Sequence, residues 1–400
     1  MTDGPNEAVA GGPAPAPVPG PAPAPVFGWY IPAGPASAGH PPLGYPAGPG
    51  PGAAPGHPPM PVPGAGPYSP MSEWGPVRRP SFAKIPHAQP QPYLRLMRTV
   101  NYRWWRPVLG ILAFAAAYVV AVFIVALAFV AGGLHLGDLD RLDDLTDPAV
   151  LALANATLIV AIPVVWLAWT VHTERFGWAS SVVGRIRWRL LWRYGALAVV
   201  VVGLGMLLSL VVGGGIGPTS GFDAREFGFL LLVVVLSTPL QSAAEEYVFR
   251  GYASQAIASW IPSRAVGAVL AGLITATLFS LIHAPGDVFT FLDRLAFGLA
   301  ASAVVWLTGG LEAAIGFHAV NNMVIFLVVG ALGGATSTDI QADSGTAALI
   351  VGVDILVMGI YVWAVAKTRK RWHPEVLSRS SQGAEPSRAG PGWPPPGTIG

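Results

Sequence analysis

The chain contains no cysteine, which excludes disulfides, a thiolate nucleophile and Cys-ligated zinc. It is also poor in charge. Asp, Glu, Lys and Arg make up 11% of its 400 residues, where a soluble domain carries about a quarter. With 52% hydrophobic residues, this scarcity excludes an ordinary water-soluble enzyme and points to a membrane protein. Met1 is not followed by the basic and then apolar pattern of a signal peptide, so none is expected. A formal net charge of +2 indicates no partner by itself, and no nucleic acid is expected to be one.

Proline, glycine and alanine are plentiful and crowd the ends. Runs such as "GGPAPAPVPGPAPAPV" lack backbone donors and apolar periodicity, so residues 1–92 are expected to be a disordered, partly polyproline-II tail. Residues 373–400, ending "GAEPSRAGPGWPPPGTIG", make a second, shorter one. Both read as solvated linkers, with a docking partner for the Pro-rich tail as the functional alternative.

Between them, eight apolar segments fall at about 109–133, 150–171, 195–216, 226–258, 265–284, 290–308, 311–332 and 346–366. Each is near the roughly 20 residues a helix needs to cross the hydrocarbon core. The expected fold is all-α, a polytopic bundle of about eight transmembrane helices over 93–372, with the bilayer as its first partner. Arg95, Arg98, Arg103 and Arg106 precede the first span, and five arginines lie in "ERFGWASSVVGRIRWRLLWR" after the second. "KTRKRWH" follows the last, whereas "GDLDRLDDLTD" between the first two is acidic. Basic loops alternate with poor or acidic ones, which predicts both termini in the cytoplasm of a multi-pass cell-membrane protein. The tryptophans of "YRWWRP" and "RWRLLWR" flank spans as interfacial anchors do.

Against this apolar background, "AAEEYVFRGY" places Glu245, Glu246 and Arg250 together at the end of the fourth span. Glu246 and Arg250 are spaced i, i+4 and can pair on one helical face; Glu245 points about 100° away and has no partner on its own helix. Ionisable groups within a span are functional candidates by default. The bland alternative puts the motif in water at the cytoplasmic edge. Two further places weigh against that. The fifth span ends "FSLIHAPGD", with Phe279 and His283 at i, i+4, and the seventh reads "GFHAVNN", with His318 and Asn322 at i, i+4 and Asn321 beside them.

"EEYVFRG", "FSLIH" and "HAVNN" fit, in order, the EExxxR, FxxxH and HxxxN signatures of the CAAX-protease and bacteriocin-processing family, which the region 226–330 resembles. The resemblance implies an intramembrane endopeptidase acting on membrane-associated, prenylated or leader-peptide substrates. It implies Glu245 as general base, His283 as the residue that shares the water and passes a proton to the leaving amine, and His318 with Asn322 as oxyanion donors. Glu246, Arg250 and Phe279 would support the site. No cofactor is expected on this basis. Zinc stays open as a rival, because two histidines and a glutamate form a legitimate ligand set, although H-E-x-x-H is absent. A non-enzymatic scaffold or immunity-type protein is the alternative class. A transporter is third, and no internal symmetry favours it.

The catalytic arrangement imposes a geometric condition. If the fourth helix stopped at Ser242, Glu245 and His283 would be separated by about 27 Å across the bilayer. The helix must therefore continue through "EEYVFRGYASQAIASWI" inside the membrane. Asp354 in the last span, and Asn155 and the kink-forming Pro163 in the second, read as structural.

Overall fold

The computed structural model describes residues 87–133, 147–212, 222–332 and 344–379. The expectations for 1–86, for the acidic stretch before Asp147 and for 380–400 lie outside the described residues. Among the described residues the fold is all-α, with only isolated bridges between extended segments. The helices are α1 (Arg106–Ala131), α2 (Pro148–Ile159), α3 (Ala161–Thr170), α4 (Trp188–Val212), α5 (Ala224–Glu246), α6 (Ser254–Trp260), α7 (Arg264–Ile282), α8 (Val288–Thr308), α9 (Glu312–Ala331) and α10 (Ser344–Trp372). They provide eight candidate spans, so the multi-pass membrane architecture expected from the sequence holds.

Local chemistry explains the boundaries. α5 starts where the Asp223 carboxylate accepts from the backbone N–H of Arg225 and Glu226, and α8 where Asp287 does the same for Phe289 and Thr290. α8 stops at Gly309, whose φ of 69° lies in the left-handed region. The second span is broken at Val160, between α2 and α3, because Pro163 has no N–H to return to the carbonyl of Ile159. Asn155 in α2 donates to Ser237 Oγ (2.8 Å) and Thr238 Oγ1 (3.2 Å) on α5, a bond between helices. Asp354 in α10 accepts from Ser209 of α4 in the same manner.

The third span begins at Trp188, seven residues before the expected start at 195. The arginines of its first turns hide the start, since long side chains reach back to the interface while their backbone is helical. Trp104, Trp188 and Trp192 expose their rings at these helix ends, where interfacial anchors sit. The fourth span is the decisive one. α5, a π-helical turn at Tyr247–Ala253, and α6 form one unbroken 37-residue helix from Ala224 to Trp260.

The folded part also reaches beyond 93–372. His87, Tyr93, Leu96 and Met97 are buried. Arg95 donates to the carbonyls of Ala258 (3.0 Å), Ile261 and Pro262 (3.1 Å), and Arg98 to that of Ser259 (2.7 Å). The carbonyls at and just beyond the end of α6 lack the following turn of helix that would otherwise bond them, and the arginines take up these acceptors. Ser378 N–H donates to the Gln91 carbonyl (2.8 Å) and Gln91 N–H to Ser378 Oγ (3.0 Å), so both ends of the folded part meet. The tail boundaries expected at 92 and 373 therefore move outward. Near the same face His172, buried against the Tyr252 hydroxyl at 3.0 Å, is pushed down to about 4 by burial and then by the Arg106 charge, which keeps it neutral at pH 7.

The interior is tied by aromatic rings. Phe279 stacks on Phe297 (5.7 Å between centroids), Phe297 on Phe317 (5.0 Å) and Phe317 on Tyr361 (4.5 Å), linking α7, α8, α9 and α10. Large apolar side chains such as Val119, Phe123, Leu204 and Leu236 are exposed on the outside of the bundle, a surface suited to lipid.

Candidate active site

Glu245 and Glu246 end α5, and the π-helical turn begins directly after them. Such turns recur at functional sites because the extra residue rotates the following face. Arg250 lies within this turn. Its Nη1 is 3.0 Å from Glu246 Oε1, its Nη2 donates to the Gly298 carbonyl (3.2 Å), and its guanidinium lies 4.8 Å from the Phe279 ring centroid. Glu246 and Arg250 are both 0% exposed, whereas Glu245 retains 7%. Of the two carboxylates, Glu245 is the one an outside molecule can reach.

His318, on α9, sits between the glutamates. Its Nδ1 is 2.9 Å from Glu246 Oε1 and its Nε2 is 3.2 Å from Glu245 Oε2, close but out of line for a good hydrogen bond. Glu246 faces Arg250 and is acceptor-only when ionised, so the proton at their contact is on His318 Nδ1. Glu245 therefore does have a partner, one the sequence could not show because it comes from α9. The rings of Phe297 (4.8 Å) and Phe279 (5.8 Å) hold the imidazole edge-on.

One helical turn away lies a second pair. Asn322 Nδ2 donates to Gln241 Oε1 at 3.2 Å, Ser242 Oγ donates to the same oxygen at 3.2 Å, and Asn321 Nδ2 donates to Asn322 Oδ1 at 3.4 Å. α5 and α9 thus face each other with Glu245 against His318 and Gln241 against Asn322.

His283 caps α7. Its Nδ1 lies 2.6 Å from the Phe279 carbonyl, its own carbonyl accepts from Arg294 (2.9 Å), and the chain turns away at Ala284, φ 46°. Donation from Nδ1 leaves Nε2 as a lone-pair acceptor. His283 makes no hydrogen bond or ion pair with Glu245 or Glu246 among the described residues. The Phe279 ring, 4.5 Å from the His283 ring, separates it from His318.

The structure thus brings Glu245, Glu246, Arg250, Phe279 and His318 into one cluster. Asn322 joins it through Gln241, and His283 stands one ring away. Gln241 was missed by sequence reasoning. Its signal was its i, i+4 spacing to Glu245, which puts a lone amide on the same face. Glu312 was missed too. It takes bonds from Arg187 Nε (2.8 Å) and Nη2 (2.6 Å) while Arg187 also donates to the Thr308 carbonyl (3.0 Å), locking the turn that sets the start of α9.

The donors for zinc do not converge. Among the described residues no three His, Asp or Glu side chains are placed to hold one metal ion. His318 has both nitrogens on glutamates and His283 has one on a backbone carbonyl, so the set Glu245, His283 and His318 does not fit the ion as it stands.

Comparison with known proteins agrees with the motifs. Residues 226–324 match the family described as type II CAAX prenyl endopeptidase Rce1-like. The resemblance drawn from the three motifs is thereby borne out, and it supports an intramembrane protease of CAAX type. The uncharacterized protein YyaK of Bacillus subtilis (strain 168) is 26% identical over 243 residues, 57% of this chain and 80% of its own length. No solved structure matches.

Proposed function

We propose that this protein is a metal-free intramembrane endopeptidase in which Glu245 activates water, and that it lies in the cell membrane with both termini cytoplasmic. The observation that carries the chemistry is the buried array Arg250–Glu246–His318–Glu245 inside an apolar bundle. Arg250 neutralises Glu246, and Glu246 orients the imidazole. His318 Nε2 lies 3.2 Å from Glu245 Oε2 but off the line of a hydrogen bond, which leaves the Glu245 carboxylate free to take a proton from water.

In the reaction, a water on Glu245 gives up a proton to the carboxylate as its oxygen attacks the peptide carbonyl carbon. The carbonyl electron pair moves onto oxygen and is met by the remaining N–H of Asn322 and, when the imidazole carries a proton on both nitrogens, by His318 Nε2–H. On collapse the electron pair of the breaking C–N bond goes to the leaving nitrogen, which takes the proton that Glu245 received from water and so restores the carboxylate; His283 Nε2, an acceptor with no proton of its own, serves only to pass that proton on. Carboxylate and amine leave. Membrane-associated peptides, including prenylated CAAX peptides, leader peptides and membrane-protein tails, are the proposed substrate classes.

The test uses full-length protein in liposomes with an internally quenched farnesylated CAAX peptide and with a quenched leader peptide. Glu245→Gln keeps the shape but cannot take the proton, and should abolish turnover at unchanged thermal stability. Chelator treatment should leave the wild-type rate intact. Wild-type turnover by Glu245→Gln would sink the glutamate mechanism, and a chelator-sensitive rate restored by zinc would sink the metal-free one.

A further inference from the structure

The Gln241 carboxamide is used at one end only. Its Oε1 accepts from two donors, Asn322 Nδ2 and Ser242 Oγ, both at 3.2 Å. With the oxygen end pinned by two donors, the amide cannot flip, and Nε2 is fixed on the other side. That nitrogen carries two N–H groups and makes no hydrogen bond among the described residues. Gln241 is only 5% exposed. Nε2 is not among the fully enclosed unpartnered atoms of the described residues, so it reaches open space and its donors are available to a molecule there.

Its place along α5 fits a use for those donors. Gln241 precedes Glu245 by one turn, about 6 Å along the axis and on the same face. A water on Glu245, the carbon it attacks and the oxygen of that carbonyl together span roughly this distance. Donors that stabilise an oxyanion act best when fixed before charge develops, and here Asn321, Asn322 and Ser242 fix the amide in advance.

We infer that Gln241 is a catalytic residue, whose Nε2 donates to the oxyanion, and that Asn322 acts on it as a positioning residue by holding its oxygen. This rests on the endopeptidase function proposed above. It changes the part played by Asn322: the HxxxN asparagine contributes its remaining N–H and, above all, the orientation of a second amide supplied by the helix that carries the base.

Two substitutions separate a donor from a support, with the quenched farnesylated peptide as probe. Gln241→Glu keeps an oxygen for Asn322 and Ser242 but replaces the free NH2 by an acceptor. Gln241→Met removes both ends. If Gln241 donates to the oxyanion, both variants lose about 10²–10³-fold in kcat with KM little changed, the range seen for one oxyanion donor. If Gln241 only supports Asn322, Gln241→Glu stays near the wild-type kcat while Gln241→Met falls, and the inference is overturned. Thermal midpoints of the reconstituted variants are measured alongside, and kcat is compared only below the midpoint of each variant, so that the loss read is catalytic. Glu245→Gln runs alongside. Turnover that survives Glu245→Gln overturns the protease function and this inference with it, whereas turnover abolished by Glu245→Gln but untouched by Gln241→Glu overturns this inference alone.

Discussion

At the scale of single residues, the two adjacent glutamates are distinguished by what each would leave behind. Glu246→Gln strands the Arg250 guanidinium, 0% exposed, without its counter-charge, and removes the ionised acceptor from His318 Nδ1. Breaking a buried pair from one side typically costs about 3–5 kcal/mol. Glu246→Gln should therefore lower the unfolding midpoint in detergent and reduce the yield of folded protein, and Arg250→Ala should match it, because Glu246 is then the stranded charge. A Glu246→Gln protein as stable as wild type would show that the pair is not what holds the site. Much of this was legible beforehand, since i, i+4 spacing pairs Glu246 with Arg250 from the letters alone. The partner of Glu245 was not, because His318 reaches it across a helix–helix interface whose register no single-sequence pattern encodes. Gln241 escaped for a related reason: one amide in an apolar run gains meaning only when Asn322 is seen opposite it.

At the scale of the helices, the site depends on how closely α8 approaches α7. A Cβ added at Gly298 would lie 2.7 Å from Ala276 Cβ and 3.3 Å from Arg250 Nη2. Gly298→Ala must push α8 outward, drawing its carbonyl from Arg250 and shifting Phe297 against Phe279 and His318. Overpacking of this kind costs about 1–3 kcal/mol, so a lower unfolding midpoint is expected, with peptidase activity falling as the His318 ring loses its flank. Gly203→Ala in α4, where nothing lies within 4 Å, serves as the control and should change neither. An unaltered Gly298→Ala midpoint would mean the helices have slack here. The eight spans were visible in the sequence because length and hydropathy alone define them. The π-helical turn was not, because one extra residue in a seven-residue stretch leaves no mark on an apolar periodicity. Yet the condition it serves was readable: the fourth helix had to continue past Ser242, and it runs on to Trp260.

At the scale of the whole molecule, the ends and the charges agree on an orientation. Gln91 and Ser378 are hydrogen-bonded to each other, so the segments leading into the first span and out of the last lie on one face. The eight candidate spans among the described residues, an even number, agree with this. That face carries Arg95, Arg98, Arg103 and Arg106 before α1, the arginines between α3 and the first turns of α4, and Arg369, Lys370 and Arg371 in the last turn of α10. In the sequence, the stretch between the first two spans holds Asp138, Asp140, Asp143, Asp144 and Asp147 against the single Arg141. Lys and Arg near span ends are retained on the cytoplasmic side, so the proposed orientation puts the face where the ends meet in the cytoplasm. The assignment has a consequence for the site. α6 and the segment 87–98 that holds its last carbonyls would face the cytoplasm, with Glu245 about 22 Å deeper, fifteen residues before Trp260. A substrate would then meet Glu245 from within the bilayer or from a path descending between helices, not at the water surface. Reporter fusions decide the orientation. A fusion after residue 140 should report the extracytoplasmic side, and fusions after 180 and 372 the cytoplasm. A cytoplasmic signal at 140 together with external signals at 180 and 372 would invert the molecule, and the arginines would then require another explanation.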